Sequence, residues 1–274
     1  MLTGGEIFLR KDLYELIEYA HKKDFLIRLL TNGTFITEMD AQKLKKFRIT
    51  SIQISLYSHI PEIHDSVTGV KGSFKKSMKA IKILLRNGIY VEIATPLMKI
   101  NFQSCKGIKQ LAKKIGIRAR LSYPIFERNN GSKDVYNLRP SRNQIIEFFL
   151  KNPEQIVCEA RKRNEPICGS GINTCQINPF GDIFPCTLLN IKLGNVKNQS
   201  LRKIWNYSPF LNYLRKLKIK SLTKCYKCPA ISYCNVCPGL NMKATNNILV
   251  PAKVCCDYAF SAKEAQSKIY KKLT

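Results

Sequence analysis

The sequence predicts an α/β fold, in which a parallel sheet with helices packed outside it is followed by a small cysteine-rich domain. Helical and strand patterns alternate from residue 1 to about residue 125, and such alternation is typical of a parallel sheet. The strand segments are rich in Ile, Val and Leu, which fits strands that are buried on both faces. Beyond about residue 166 the alternation gives way to loops, short strands and clustered cysteines.

Helices of the first half are predicted from apolar residues that recur every three or four positions. In the first of them, residues 11–23, one face carries Leu13, Leu16, Ile17 and Ala20. The further predicted helices are about 37–47, with Thr37 as N-cap and Glu38 in the first turn, Ser73 to about Gly88, with Ser73 as N-cap, and about 103–115.

Short apolar runs between these helices are the predicted strands, at 25–30, 51–56, 89–94 and 118–123. The segment Leu2-Thr3-Gly4 reads as the end of a further strand whose body is missing. In parallel folds the chemistry lies on the loops that follow the carboxyl ends of the strands. Those loops begin at Gly4-Gly5-Glu6, Thr31-Asn32-Gly33, Ser55-Leu56-Tyr57-Ser58 and Thr95-Pro96.

The predicted domain boundaries divide the chain into three parts. Residues 1–127 form the sheet domain, residues 128–165 a linker with a bridging helix, and residues 166–274 the cysteine-rich domain. The linker contains a break at Asn129-Asn130-Gly131-Ser132 and a helix from Ser141 to about Lys151. Two more helices are predicted inside or beside the cysteine-rich domain, at about 200–216 and 258–272.

The net charge of +27 is unusual and raises the question of an acidic partner. The lysines are scattered over the polar faces of nearly every predicted helix, and no arginine-rich arm or recognition helix gathers them. This pattern favours a solvated lysine-rich surface, ahead of attraction to an acidic peptide and ahead of nucleic-acid binding. No apolar signal segment follows Met1 and no stretch approaches a membrane span, so we expect a cytoplasmic protein without membrane contact.

Seven cysteines form one spaced array, and two CxxC turns lie within it. The array is Cys168-x12-Gly181-x4-Cys186, a gap, and then Cys225-x2-Cys228-x5-Cys234-x2-Cys237-x17-Cys255. A CxxC turn places two sulfurs on one side of a tight loop, where they share a metal or a cluster. The array offers more thiolates than one tetrahedral site uses, which predicts two metal centres. Disulfides are disfavoured in a reducing compartment, whereas zinc ribbons with the same spacing are the serious alternative.

Several motifs together resemble the radical S-adenosylmethionine (SAM) enzymes. They are Gly4-Gly5-Glu6 at the end of an early strand, Thr31-Asn32-Gly33 after the next, Ser55 at a strand end, and the segment from Ile54 through His64-Asp65 to Phe74. This segment resembles the peptide-modifying members of the family. The cysteine array, with the flanking segments 177–186, 193–196 and 204–205, resembles their SPASM extension, which carries auxiliary [4Fe–4S] clusters.

The resemblance implies an incomplete parallel (β/α)6 radical-SAM-type barrel, followed by a small iron–sulfur domain. It also implies that Gly4, Gly5 and Glu6 hold the amino group of SAM, and that Ser55, Thr31 and Asn32 line the same pocket. In the family, SAM is cleaved to a 5′-deoxyadenosyl radical that abstracts hydrogen from a peptide or protein substrate. An electron donor such as flavodoxin or ferredoxin, and a small leader-peptide-binding protein, are the further partners that this implies.

For the auxiliary clusters the resemblance implies two ligand sets. Cys225, Cys228, Cys234 and Cys255 match the outer cluster, and Cys256 could compete with Cys255; Cys168, Cys186 and Cys237 match three ligands of the inner cluster. The fourth inner ligand is left open between Cys175, Cys158 and the substrate. The spacing Cys234-x2-Cys237 is one residue shorter than the commonest family pattern.

One departure from the family is severe, because no CxxxCxxC motif occurs in the sequence. That motif binds the third [4Fe–4S] cluster, which cleaves SAM, and it precedes the Gly-Gly-Glu strand in the family. We therefore expect an N-terminally truncated chain that is inactive as given. A catalytically dead peptide-binding remnant and a structural zinc protein are the alternatives. Of the remaining residues, His64-Asp65 is interpreted as a cap of the following turn, and Trp205 and Cys105 as residues without a special role.

Overall fold

The computed structural model describes residues 1–123, 125–128 and 130–271. The chain divides into two compact units, Met1–Pro140 and Ser141–Thr274. The three-part boundaries that the sequence indicates stay a prediction. Asn129 of the predicted break and residue 272 of the predicted last helix lie outside the described residues.

The first unit is built on a parallel sheet, which confirms the predicted α/β class. Among the described residues the sheet has four strands in the order β1-β2-β3-β4. The strands are β1 (Ile27–Thr31), β2 (Ile49–Ser55), β3 (Val91–Pro96) and β4 (Arg118–Ser122). The helices are α1 (Leu13–Lys22), α2 (Glu38–Leu44), α3 (Pro61–Thr68), α4 (Ser73–Arg86) and α5 (Cys105–Lys114), with short 3₁₀ helices at Ile7–Leu9, Phe102–Ser104 and Asp134–Leu138.

The core of this unit lies between the sheet and its helices. Register pairs Leu29 with Ile52 and Ile52 with Val91, so apolar side chains of successive strands form continuous rows. These rows pack with buried residues of the helices, such as Ile17 of α1 and Leu84 of α4. On the edge of β1 opposite β2, the N–H of Leu2 donates to the carbonyl of Arg28, and the carbonyl of Leu2 accepts from the N–H of Leu30. This pairing places the glycine-rich segment after Leu2 beside the carboxyl end of β1.

Three local predictions in this unit are corrected by the structure. Phe25 and Leu26 are 63% and 72% exposed and precede β1, so the strand begins two residues later than predicted. Ser73 is the first residue of α4 and not its cap; the N-cap position is Gly72. Helix α3 is absent from the sequence predictions, because the segment 61–68 has no clear apolar stripe; Pro61 at its first position is the one signal that could have indicated it.

The second unit combines a pair of packed helices with a loop-rich region. Helix α6 (Arg142–Lys151) packs on the last helix, α10 (Lys253–Tyr270), where the rings of Phe149 and Tyr258 lie 5.1 Å apart. The antiparallel strands are β5 (Gln176–Ile177), β6 (Asp182–Phe184) and β7 (Gly194–Asn195). The remaining helices are α7 (Leu201–Tyr207), α8 (Pro209–Lys216) and α9 (Pro238–Thr245), with 3₁₀ helices at Pro153–Gln155, Ile219–Ser221 and Ile231–Tyr233.

The helices of the second unit differ from the prediction at their ends. The single helix expected at about 200–216 is two helices, because Pro209 lacks an N–H and Ser208 caps α8 by accepting from Leu211. Helix α10 begins five residues before the expected start at 258, and α9 was not predicted. Within the described residues, no helix is both long enough and apolar enough to cross a bilayer.

Candidate functional site

A cavity of about 650 Å³ lies at the carboxyl ends of β1 and β2 in the first unit. Its lining includes five of the six residues predicted to contact SAM: Gly4, Gly5, Thr31, Asn32 and Ser55. The strands bring these residues together because parallel strands present their carboxyl ends at one edge of the sheet. The rest of the lining comes from β1, β2 and the loops and helices that follow them, and includes Gln53, Tyr57, His64, Thr68, Lys76 and Ser77.

The two glycines leave the mouth of this cavity clear. A Cβ atom added at Gly4 or at Gly5 would meet no atom within 4 Å. Backbone groups of this segment are therefore accessible to a ligand that approaches closely.

Glu6, the sixth residue predicted to contact SAM, joins the Gly4-Gly5-Glu6 segment to the turn after β1 by hydrogen bonds. Its Oε1 accepts from the hydroxyl of Thr31 at 2.6 Å and from the N–H of Phe8 at 3.1 Å. Its Oε2 accepts from the N–H of Asn32 at 2.8 Å. These three bonds use most of the roughly four acceptor positions of a carboxylate, and they fix the Gly-Gly-Glu segment against the end of β1.

The Thr31-Asn32-Gly33 turn is held by bonds of its own. Gly33 has a φ of +79°, which favours glycine, and its N–H donates to the hydroxyl of Thr31 at 3.0 Å. The side-chain oxygen of Asn32 accepts from both the N–H and the hydroxyl of Thr34. Ser77 of α4 donates to the carbonyl of Asn32 at 2.8 Å. The turn is thus a preformed wall of the cavity.

His64 and Lys76 also line the cavity, and the sequence did not indicate either of them as site residues. His64 is 1% exposed, and its Nδ1 accepts from the N–H of Tyr57 at 3.1 Å. Burial lowers the pKa of His64, and this effect is larger than that of the charge of Asp65, which raises it. The imidazole is therefore neutral near pH 7. With Nδ1 as the acceptor, the proton lies on Nε2. Finding these residues required the placement of α3 and α4, which no local motif reports.

Asp65 caps helix α4, whereas the sequence indicated that His64-Asp65 caps the turn that follows it. Its carboxylate accepts from the backbone N–H groups of Gly72 and Phe74 and from the hydroxyl of Ser73. The N–H groups of Phe74 and Gly72 hold the pKa of Asp65 below its usual value. The carboxylate thereby satisfies free N–H groups at the start of α4.

The cavity lining fits the chemistry of SAM. Glu6, bonded to Thr31 and Asn32 of the lining, supplies a fixed anion for an ammonium group, and Lys76 of the lining supplies a cation for a carboxylate. Thr31 and Ser55 supply hydroxyl groups, and the bare glycines leave room for the ligand. The individual ligand roles of these residues remain predictions.

In the second unit, five cysteines line a small cavity of about 30 Å³: Cys225, Cys228, Cys234, Cys255 and Cys256. Burial raises the pKa of Cys234 to about 12, with the neighbouring Cys256, Cys225 and Cys228 adding to the effect. Burial likewise raises the pKa of Cys255 to about 12. Buried thiols that repel one another as thiolates are stabilised when a metal centre takes up their charge. The donor set thus fits an iron–sulfur cluster.

A second set contains Cys168, Cys186 and Cys237. Burial raises the pKa of Cys237, and its charged neighbours include Cys186 and Cys168. The N–H of Ser170 donates to the sulfur of Cys168, and the N–H of Leu189 to that of Cys186, both at 3.4 Å. Backbone N–H groups that point at sulfur stabilise thiolates and tune the potential of an iron–sulfur cluster. This set also fits a cluster.

Gly239 allows helix α9, which follows Cys237, to pack closely on the loop after Cys186. It follows Cys237 in the first turn of α9, and a Cβ atom there would lie 2.5 Å from Cβ of Leu188 and 3.0 Å from its carbonyl carbon. Only a residue without a side chain permits this approach of α9 to the loop after Cys186. The packing of the second set therefore depends on a glycine that the sequence did not single out.

The other cysteines are placed differently. Cys175 is exposed as a whole residue, but its sulfur is partly buried, and this raises the pKa of the thiol. Cys158 is exposed and pairs with the phenol of Tyr233, whose pKa rises through burial and through this contact. All eleven cysteines are free thiols. Within the described part of the chain, no three His, Cys, Asp or Glu side chains close around the position of a single metal ion.

Two protein families match the chain. Residues 1–112 match the radical SAM superfamily, and residues 168–229 match the iron–sulfur cluster-binding domain SPASM. The "antilisterial bacteriocin subtilosin biosynthesis protein AlbA" of Bacillus subtilis is 31% identical over 273 residues, which cover 94% of this chain. The chain spans 60% of the length of that relative.

Further similarity is found to an "AdoMet-dependent heme synthase" of Nitratidesulfovibrio vulgaris, which is 27% identical over 277 residues and matches over 90% of this chain and 74% of its own. Among solved structures, anSMEcpe with bound AdoMet superposes with a TM-score of 0.69 at 17% identity, covering 99% of this chain and 78% of that one. The two domain matches follow the chain in the order that the sequence predicted. By these matches, residues 1–112 are a radical SAM domain and residues 168–229 are an iron–sulfur cluster-binding SPASM domain.

Proposed function

We propose that this chain forms the SAM-binding and auxiliary-cluster-binding part of a radical SAM enzyme that modifies a peptide. The observation that carries the proposal is the cavity of about 650 Å³ that Gly4, Gly5, Thr31, Asn32 and Ser55 line together. We assign SAM binding, and not SAM cleavage, to these residues, since the CxxxCxxC motif of the SAM-cleaving cluster does not occur in this sequence.

In this proposal the chain's own residues bind and orient SAM. Backbone groups of Gly4 and Gly5 accept from its ammonium group, and Glu6 provides the compensating charge, held in place by Thr31 and Asn32. The hydroxyl of Ser55 lines the same cavity. When bound beside a reduced [4Fe–4S] cluster, SAM supplies the radical that abstracts hydrogen from the substrate.

Two auxiliary [4Fe–4S] clusters complete the proposal. Cys225, Cys228 and Cys234 would hold the outer cluster together with a cysteine of α10. The inner cluster would be held by Cys168, Cys186 and Cys237, and backbone N–H groups donate to the sulfurs of the first two. Such clusters supply electron transfer, which requires an electron donor such as flavodoxin or ferredoxin and a reducing cytoplasm.

A peptide is the proposed substrate class. The support is the similarity to a bacteriocin biosynthesis protein, at a higher identity than to the haem synthase. A strongly basic chain, with a net charge of +27, also attracts an acidic peptide. A small leader-peptide-binding protein is the accompanying partner.

The test begins with the metal content of the chain, reconstituted and purified without oxygen. About eight irons and about eight sulfides per chain are expected for two [4Fe–4S] clusters, whereas about two zincs would refute the cluster assignment in favour of a zinc protein. Binding of SAM is then measured by calorimetry on the wild type and on Glu6→Gln, with Glu15→Gln as the control on an exposed face of α1.

Glu6→Gln is expected to weaken SAM binding about tenfold or more, because a hydrogen bond to a charged group contributes about 1.5–3 kcal/mol. Equal affinity of Glu6→Gln and wild type would contradict the assigned pocket. Titration with the peptide encoded beside the gene, and separately with a porphyrin, distinguishes the two substrate classes that the relatives suggest. Binding of the porphyrin alone would overturn the peptide proposal.

A further inference from the structure

The face of the sheet that borders the cavity continues across the two strands beyond it. Paired positions of neighbouring parallel strands lie on the same face of a sheet. Two rows of paired positions cross this face: Leu30, Gln53, Glu92 and Arg118 in one, and Ser55, Ala94 and Arg120 in the other. Leu30, Gln53 and Ser55 line the cavity. Each row therefore leads from the cavity to an arginine of β4, two strand spacings, or about 10 Å, from β2.

Glu92 lies at the centre of this face and gathers three guanidinium groups. Its side chain is 2% exposed, and its Oε2 lies 2.5 Å from Nη2 of Arg28, which precedes Leu30 by two positions on β1. Its Oε1 lies 3.3 Å from Nη2 of Arg118 and 3.5 Å from Nε of Arg120. One carboxylate thus faces three positive charges, and the cluster keeps an excess of positive charge.

Many N–H groups of these arginines have no protein acceptor. A guanidinium carries five N–H donors. Arg28 donates from Nη2 to Oε1 of Gln53 at 2.7 Å, but its Nε is buried without an acceptor. Nε of Arg118 donates to the hydroxyl of Tyr90 at 2.5 Å. In the described part of the chain, the guanidinium of Arg120 makes its ion pair with the buried carboxylate and no hydrogen bond to another side chain. The cluster therefore has free donors as well as excess charge.

These properties define the kind of group that the cluster can bind. Arginine forms paired hydrogen bonds with a carboxylate, and the side chains of Arg118 and Arg120 are 70% and 55% exposed. An anion meets both the free donors and the excess charge, whereas a cation is repelled. Because the cluster lies on the face that borders the cavity, a substrate that reaches the cavity can extend a carboxylate to it.

A structural role explains only part of the cluster. Charged side chains on an edge strand prevent pairing with other chains, and β4 is an edge strand among the described residues. That role accounts for Arg118 and Arg120. It does not account for Arg28 and Glu92, because β3 pairs with β2 and β4, and β1 pairs with β2 and with Leu2.

We propose that Arg28, Arg118 and Arg120, gathered around Glu92, bind the side-chain carboxylate of an aspartate or glutamate of the substrate peptide. The inference rests on the proposed function and adds a feature of the substrate, an acidic residue that lies beside the cavity when the peptide binds. The excess positive charge holds this carboxylate, and Glu92 keeps the guanidinium groups in place.

The test uses the full chain, reconstituted without oxygen, and two synthetic peptides with blocked ends. One peptide alternates Glu and Gly, and the other has Gln in place of each Glu. Calorimetry measures the affinity of both peptides and of SAM for the wild type, Arg118→Gln and Arg120→Gln. Arg86→Gln is the matched control, because Arg86 of α4 is 70% exposed like Arg118 and pairs with Glu38 at 3.5 Å.

Arg118→Gln and Arg120→Gln should each weaken binding of the Glu peptide about tenfold, because each removes charge-assisted hydrogen bonds. Binding of the Gln peptide and of SAM should stay as in the wild type, and Arg86→Gln should change none of the three affinities. Glu92→Gln should instead tighten binding of the Glu peptide about threefold, since it removes the negative charge that repels the carboxylate. Weaker binding of the Glu peptide by folded Glu92→Gln would contradict the charge balance on which the proposal depends.

Equal affinities of the wild type for the two peptides, or a loss that Arg86→Gln shares, would overturn the proposal. A loss of SAM affinity in Arg118→Gln and Arg120→Gln would also overturn it, by assigning the cluster to the carboxylate of SAM. Circular dichroism identifies a variant that fails to fold, and the other arginine variant then decides. A wild type that binds neither SAM nor iron would refute the proposed function, whereas SAM binding without preference for the Glu peptide refutes this inference alone.

Discussion

Replacing Gly239 by alanine tests how closely α9 packs on the loop that carries Cys186. The added methyl carbon would lie 2.5 Å from Cβ of Leu188, 3.0 Å from the carbonyl carbon of Leu188 and 3.3 Å from the nitrogen of Leu189. Carbon atoms in contact prefer a separation of about 3.5–4.0 Å, so the two segments must part by about 1 Å. Because two of the three atoms are backbone atoms, no side-chain rotation relieves the contact.

The cost follows from two opposing effects. Overpacking of a well-filled site costs about 1–3 kcal/mol, and contacts with backbone atoms fall at the upper end of that range. Alanine is a better helix former than glycine by about 1 kcal/mol, which offsets part of the loss. We expect Gly239→Ala to lower the free energy of unfolding by about 1–2 kcal/mol. The N–H of Leu189, which donates to the sulfur of Cys186 at 3.4 Å, would move with the loop.

Two measurements check this expectation. Urea unfolding of the reduced, metal-free chain reports the change in stability, and iron analysis after anaerobic reconstitution should show a loss of up to about four of eight irons. Gly4→Ala is the control for stability, because its methyl group meets no atom within 4 Å. An unchanged urea midpoint together with a full iron content in Gly239→Ala would refute the reasoning.

Three further outcomes are expected. Gly4→Ala should keep the stability of the wild type, within about 0.5 kcal/mol, yet weaken SAM binding in calorimetry, because Gly4 lines the cavity and an added methyl group hinders the close approach of a ligand to its backbone. Glu92→Gln should lower the free energy of unfolding by about 2 kcal/mol in urea, because Glu92 is 2% exposed and its charge faces Arg28 at 2.5 Å, Arg118 at 3.3 Å and Arg120 at 3.5 Å, which a neutral amide no longer balances. Burial holds the pKa of folded His64 below the value in the unfolded chain, so the unfolded state binds the proton first as pH falls. Stability should therefore decline below about pH 6.5 by at most about 1.4 kcal/mol per pH unit, and His64→Asn, which keeps an acceptor for Tyr57, should reduce that slope.

Local signals located most elements of the fold, and their failures have a common physical cause. Thr37 caps its helix as predicted, and Ser141, predicted as the first residue of a helix, is its N-cap. Each forms a capping box with the residue three positions on. The start of α4 is different, because Asp65, seven and nine residues before the N–H groups it binds, takes the place of a local cap. Such a bond depends on how α3 folds back against α4. The sequence window that identifies a cap does not contain that information.

The residues that line the cavity of the first unit also divide into predictable and unpredictable ones. Gly4, Gly5, Thr31, Asn32 and Ser55 follow from the topology, because residues at the carboxyl ends of adjacent parallel strands meet at one edge. His64 and Lys76 lie on helices, where exposure to the cavity depends on the rotation and tilt of each helix. Neither quantity is encoded in a short motif. The walls that strands provide could thus be predicted, and the walls that helices provide could not.

The directions in which Cys255 and Cys256 leave the backbone depend on the residue at which α10 begins. With α10 expected from about residue 258, Cys255 and Cys256 would lie in a flexible loop, where either sulfur reaches the same metal. The structure starts the helix at Lys253, which places both cysteines in its first turn and fixes their directions about 100° apart. Spacing alone counts thiols and pairs them within CxxC turns. The directions of the two cysteines depend on the phase of the helix, and the side-chain oxygen of Asn241, on a neighbouring helix, accepts from the N–H of Ala252 at its start.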